Sequence, residues 1–312
     1  MVRLSVAMCT YNGARYLPAQ LESIARQTCL PDELIICDDH STDATPTIVE
    51  QFGKTAPFRV RLFHNPVRLG VIANFSKAIT LATGRYIALS DQDDIWLPQR
   101  LERSLLTIRA AEDSYGPYTP LLVHTDLSVL GEGENILSPS FMRFQHLQHV
   151  TSDPLRNLLT QNFVTGCTVL MNETLKLSAT PIPNSVLMHD WWFALIAATI
   201  GKIVFLDEQT ILYRQHDSNT IGAVRYNILS IHLILKKWRE RPIQLKLLLD
   251  QTKALLDCLE ENGKNPPPLL IDYLNILQNP GIHTCWKYLR LRFRKQGFWR
   301  NFWFLTLLLF GR

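Results

Sequence analysis

Apolar residues in the first hundred positions fall into short runs separated by segments of helical spacing. Leu4 to Met8 reads as a strand, and Leu17, Leu21 and Ile24 then recur along one helix face. "ELIICD" (Glu33 to Asp38) is the next strand. A helix follows from about Ala44 to Phe52, with Asp43 or Thr45 as N-cap and Pro46 in the first turn. Val60 to His64 predicts a third strand, "GVIANFSKAITLA" an amphipathic helix and "YIALS" a fourth strand. This alternation predicts an α/β fold on a mainly parallel central sheet flanked by helices.

The pattern also collects polar residues at one end of that sheet. The strand exits are "CTYNG", "CDDHSTD" and "SDQDD". Ligands of open α/β sheets bind beyond the carboxyl ends of the strands, so these exits predict a single binding rim. After a helix from Leu97 to Ala111 the alternation loosens. "LLVHTDL" predicts a strand, 131–153 a long loop or insertion, and "GCTVLM" and "GKIVFLD" two further strands. Between those two lies "MHDWWFALIAATI", an apolar helix starting near Asp190. From Ala223 onward the pattern is helical, broken at "ENGKNPPP". The expected division is an α/β domain over 1–222 and a helical C-terminal extension over 223–312.

Composition narrows the class. At 46% hydrophobic and 19% charged residues the chain has the balance of a folded globular protein. The six cysteines form no CxxC pair, which argues against a zinc site or a disulfide framework and for a reducing compartment. The N-terminus enters a strand almost at once, without an apolar leader, so a cytoplasmic protein is expected. The formal net charge is only +4, yet no acidic residue follows Asp272, while Lys287, Arg290, Arg292, Arg294, Lys295, Arg300 and Arg312 do. With "FWFLTLLLF" (Phe302 to Phe310), too short to span a bilayer, this basic, aromatic end suits the inner face of a cell membrane and its anionic headgroups; a core helix with a solvated basic face is the other reading. No nucleic-acid partner is expected.

Two familiar nucleotide signatures fail. "FGKT" lacks the glycine a phosphate-cradling loop needs, since that position is Ile48, and no GxGxxG follows the first strand. Another combination succeeds. "VAMCTYNGARYLPAQLESIARQT", "ELIICDDHSTDAT", "NPVRLGVIANFSKAI" and "GRYIALSDQDDIWLP", continued by "NFVTGCTVLMN", "MHDWWFALIAA" and "ILYRQH", resemble the family 2 glycosyltransferases of GT-A fold, in the branch described as rhamnosyltransferase-like.

That resemblance implies an inverting transfer of a sugar from a dTDP- or UDP-linked donor to a glycan or lipid-linked glycan acceptor, assisted by Mn2+ or Mg2+. Asp91-Gln92-Asp93 matches the DXD motif, so Asp93 is implied as a metal ligand, with Asp91 contacting the ribose or sharing the metal. Asp94 either faces solvent or holds the loop. One of Asp38 and Asp39, here taken as Asp39, is implied to accept from the pyrimidine base, with Thr10 and Tyr11 in the same pocket; a plain Asx-rich turn is the alternative. Arg68 is the candidate for the diphosphate and His216 for completing the metal site. Asp190 sits where the family carries its catalytic base, but the usual preceding glutamate is His189. Trp191, Trp192 and Gly166 are placed on the acceptor side, with at least one tryptophan expected in the core. A noncatalytic sugar-nucleotide or glycan-binding module, a nucleotidyltransferase and a hexosyl- or hexosaminyltransferase are the rival readings.

Overall fold

The computed structural model describes residues 3–131, 133–216 and 241–310, side chains excepted at 241 and 242. The expected domain boundary at 222/223 lies outside the described residues. The N-terminal half follows the alternation: β1 (Leu4–Thr10), α1 (Leu17–Ala25), β2 (Glu33–Asp38), α2 (Thr45–Gly53), β3 (Arg59–His64), α3 (Val71–Leu81) and β4 (Tyr86–Ser90). Then come β5 (Ile95–Trp96), α4 (Arg100–Tyr115), β6 (Leu121–Leu130), β7 (Ile136–Ser138), α5 (Phe141–Phe144), α6 (Pro154–Leu158), β8 (Leu170–Asn172), α7 (Glu173–Ala179), α8 (His189–Ile200) and β9 (Lys202–Arg214). Four helices complete the described chain: α9 (Arg241–Glu261), α10 (Pro268–Gln278), α11 (Ile282–Arg290) and α12 (Phe298–Phe310).

The strands form one nine-stranded sheet in the order β3-β2-β1-β4-β8-β6-β9-β5, with β7 paired to β6. From β3 to β4 every pairing is parallel. Beyond β4 the sheet is mixed, because β8 runs antiparallel between β4 and β6. The pleat divides the core. Val6 and Met8 of β1 face a cluster under α1 and α4, while Ala7 and Cys9 face a second cluster holding Phe75 of α3 and Trp192 of α8. Tyr273, Tyr288, Phe304, Leu307 and Leu308 of the C-terminal helices join that second cluster.

Some local expectations change. "GKIVFLD" is only the first part of a longer strand, β9, which runs on to Arg214 and whose pairing with β6 shifts register around Asp126. "GCTVLM" splits into a 3-10 turn at Gly166–Thr168 and the short β8. Helix α4 starts at Arg100, not Leu97, because Ile95 and Trp96 pair with β9 and Leu97 N–H donates to Thr210 O at 2.9 Å. Neither Asp43 nor Thr45 caps α2; Ala44 holds that position, and Asp43 instead accepts from Thr45 N and Ala14 N at 3.0 and 3.1 Å.

Candidate active site

The three polar exits do meet. Thr10 Oγ1, at the end of β1, donates to Asp38 Oδ1 at the end of β2 (2.9 Å). The residue after β1 is clasped to the acidic turn after β4: Tyr11 N–H donates to Gln92 Oε1 at 2.8 Å and Gln92 Nε2 donates to Tyr11 O at 3.0 Å. Gly13 makes room for this, since a Cβ there would lie 2.2 Å from Gln92 Oε1. Nothing in the sequence singles out Gln92, the middle residue of its motif.

Both aspartates after β2 are buried and already engaged. Asp38 closes a local turn, accepting from Ser41 Oγ at 2.6 Å and Ser41 N at 3.0 Å. Asp39 reaches the loop after β3: Oδ1 accepts from Asn65 Nδ2 at 3.0 Å and Leu69 N at 2.6 Å, and Oδ2 accepts from Gly70 N at 2.9 Å. A carboxylate oxygen takes about two hydrogen bonds, which leaves one position on Asp39 Oδ2. That loop carries Arg68, whose guanidinium lies 3.9 Å from the centre of the Tyr11 ring. Thr10, Tyr11, Asp38, Asp39 and Arg68 therefore share one wall of the rim.

The acidic turn separates into an inner and an outer part. Asp94 is completely buried, with the Cys167 thiol beside its carboxylate, so of its two expected places, facing solvent or holding the loop, the first is corrected. Its Oδ1 accepts from Arg214 N at 3.4 Å, which ties the turn to β9. Asp91, Asp94 and the Cys167 thiol bring ligand atoms within 4.8 Å of one another. Burial pushes Asp91 up to about 7, with Asp93 and Asp190 adding negative charge. The opposing cation is Arg100, buried over the Trp96 ring at 3.5 Å, with its Nη2 donating to Leu89 O at 3.0 Å. Burial lowers Arg100 to about 9, while Cys167, Asp94 and Asp91 act to raise it. In sequence it is an ordinary basic residue on a polar helix.

The outer part is a pair. His216 Nε2 lies 2.9 Å from Asp93 Oδ2, and the imidazole stacks on Tyr16 with ring centres 4.7 Å apart. A carboxylate and an imidazole in contact are a donor pair that fits a divalent cation; nitrogen ligation suits Mn2+ better than Mg2+. Of the residues expected to hold it, Asp93 and His216 are in contact, while Asp91 gathers with Asp94 and Cys167.

Asp190 lies in the first turn of α8, its carboxylate accepting from Trp191 N at 2.6 Å and also from Gly166 N and the Asn162 side chain. Burial raises it to about 6 against those donors. Gly166 is required by close approach: a Cβ there would sit 2.9 Å from His189 Nε2 and 3.5 Å from Asp190 Oδ2. His189 is buried, stacks on Phe75 at 3.9 Å, and is lowered by burial to about 3, so it brings no charge beside Asp190. The tryptophans part company. Trp192 is fully buried with its indole N–H on Ala179 O at 2.8 Å, so its placement on the acceptor side is corrected to the core. Trp191 stays half-buried beside Asp190, its indole N–H on Leu158 O at 2.6 Å.

A half-sheet of parallel strands whose exits carry polar and acidic residues, with a carboxylate on a helix from the second half of the chain, is the layout of a GT-A-type scaffold. Residues 5–151 match the glycosyl transferase family 2. A dTDP-rhamnosyl transferase, RfbG of Shigella flexneri, is 28% identical over 253 residues, 76% of this chain and 82% of that protein. An uncharacterized protein of Mycobacterium tuberculosis is 30% identical over 215 residues; the match takes in 68% of this chain and 59% of that protein, so the chain spans under two thirds of its length. Among solved structures, S. aureus TarS 1-349 with UDP-GlcNAc superposes with a TM-score of 0.57 at 17% identity, covering 92% of this chain and 73% of TarS. The chain belongs to the family 2 glycosyltransferases.

Proposed function

We propose that this chain is an inverting, metal-dependent glycosyltransferase that moves a sugar from a dTDP- or UDP-linked donor to a hydroxyl of a growing cell-surface polysaccharide or lipid-linked glycan, at the cytoplasmic face of the membrane. The similarity to a dTDP-rhamnosyl transferase makes L-rhamnose the first sugar to test, ahead of other hexosyl groups. The observation that carries the reading is the approach of Asp190, in the first turn of α8, to Asp91, just past β4: two half-buried carboxylates, close enough for Asp190 to help raise Asp91.

In this reading Thr10, Tyr11 and the remaining acceptor position of Asp39 hold the pyrimidine, and Arg68 meets the diphosphate. Asp190 takes the proton from the acceptor hydroxyl, whose oxygen attacks the anomeric carbon as the bond to the diphosphate breaks on the opposite face. At about 6, Asp190 is ionised at neutral pH yet basic enough to accept that proton. Trp191 walls the acceptor side. A divalent ion held by Asp93, His216 and Asp91 would supply positive charge for the departing diphosphate.

The test is calorimetric binding of a panel of nucleotide sugars, with and without Mn2+, to the wild type and to Asp93→Ala. Mn2+-dependent binding of one donor, lost in the variant, supports the reading and identifies the sugar. Absence of binding by a folded wild type across dTDP-, UDP- and GDP-linked sugars would count against it.

A further inference from the structure

The sequence suggests that the terminal apolar run lies on a membrane, but its buried positions point elsewhere. Phe304, Leu307 and Leu308 of α12 are in the core. What the fold leaves outside is a face of α11. Ile282, Trp286 and Leu289, spaced to share one side of that helix, are 72, 61 and 52% exposed. His283, Lys287 and Arg290 run beside them at the same spacing, while Thr284 and Tyr288 face the core. Trp286, Lys287, His283, Arg290 and Leu291 border an open hollow of about 410 Å3, with the Arg290 guanidinium 5.0 Å from the centre of the Trp286 ring.

The loop from α11 to α12 carries exposed Arg292 and Arg294, and α12 opens with exposed Phe298, Trp299 and Phe302. No acidic residue occurs from Tyr273 to Arg312. Asp272 of α10 pairs with Lys287 at 2.7 Å, so the cationic character of the face rests on Arg290, Arg292 and Arg294; large apolar side chains interspersed with these cations complement a surface that is apolar below and anionic above.

We propose that α11 and the start of α12 form a docking face for an anionic lipid bilayer, with Trp286 and Leu289 entering the headgroup boundary and Arg290 among the phosphates. The same segment reaches the acceptor side. Thr160 Oγ1 donates to Arg294 O at 2.9 Å and Gln296 N donates to Gln161 Oε1 at 2.8 Å, one or two residues before Asn162, which holds Asp190. Resting on the transferase reading, this second half of the inference makes the occupant also the source of the acceptor: a lipid-linked glycan presented from the surface on which the enzyme sits.

The experiment is co-sedimentation of the full chain with vesicles of phosphatidylcholine alone, or with about one-third phosphatidylglycerol, for the wild type, Trp286→Ser/Leu289→Ser and Arg290→Glu. Circular dichroism checks the fold and light scattering the oligomeric state. The inference expects binding to anionic vesicles only, weakened by salt and by at least about tenfold in each variant. Equal binding by wild type and variants, binding independent of anionic lipid, or no binding would overturn it. So would a wild-type dimer that the variants dissolve, which would assign the face to a second copy. Donor binding is measured on the same samples: its absence alongside vesicle binding would sink the transferase reading and leave the docking face standing.

Discussion

His216 Nε2 and Asp93 Oδ2 meet at 2.9 Å, joining the residue pair just past β9 to the turn after β4. The contact gathers nitrogen and oxygen donors where the acidic cluster is least buried. If it holds a cation, His216→Ala lowers Mn2+ affinity by at least about tenfold, read by calorimetry without any substrate. The Cys167→Ser variant leaves that affinity within a few-fold, since the thiol belongs to the inner cluster. The reverse ranking would move the metal inward, to Asp91, Asp94 and Cys167.

Proton competition gives a second expectation. Asp91 sits at about 7, so binding a cation there must displace a proton over much of the neutral range. Mn2+ affinity should rise between pH 6 and 8 by about tenfold, with proton release measurable as a buffer-dependent heat. A pH-independent affinity would mean that Asp91 stands outside the coordination.

Asp190 links rate to stability. If Asp190 is the base it must be ionised, so kcat/KM should climb through a limb near pH 6, and Asp190→Asn should cost at least about a hundredfold. Its native pKa is raised from 3.8 to about 6, so the folded state holds this proton more tightly than the unfolded chain does. The sign follows: stability is lost as pH rises through that window, by up to about 3 kcal/mol at 1.36 kcal/mol per unit. Asp190→Asn should therefore unfold at higher urea than the wild type at pH 7, with the gap closing by pH 4.

Asp39 binds its own loop before it binds anything else. In Asp39→Ala the N–H groups of Leu69 and Gly70 lose their acceptor, and a loss of about 1–3 kcal/mol in urea melts is expected. Arg68 is released with that loop, so nucleotide affinity should fall even where the base contact itself is weak.

Gly166→Ala tests the crowding beside the base. The new methyl would meet His189 Nε2 at 2.9 Å, within a buried shell that has little room to yield. About 1–3 kcal/mol of stability and most of the turnover should go, while donor binding stays.

The sequence carried the parallel half of the sheet well, because strands buried on both faces read as unbroken apolar runs and their exits as polar clusters. Of the residues it singled out, the structure brings Asp93 to His216 and Arg68 to Tyr11. Periodicity failed where long-range pairing decides. The strand expected at "GCTVLM" shrinks to Leu170–Asn172, the part that β4 and β6 flank, and Ile95 with Trp96 is a strand only because β9 pairs with it. Side-chain destiny at one site was equally hidden: Trp191 and Trp192 are identical letters, and the direction of α8 alone sends one to the core. Buried Arg100 reads as a surface charge until the carboxylates around it are seen in space.

The seam between 160–162 and 294–296 carries a consequence for engineering. Arg294 and Gln296 hold Thr160 and Gln161, and Asn162 next along steadies the Asp190 carboxylate. A chain cut after Asn279 would not merely lose a handle; it would leave the wall beside Asp190 without a buttress. The C-terminal helices are thus poor currency for domain exchange: a graft from a relative would have to bring its own version of 154–163 to keep the acceptor end in register.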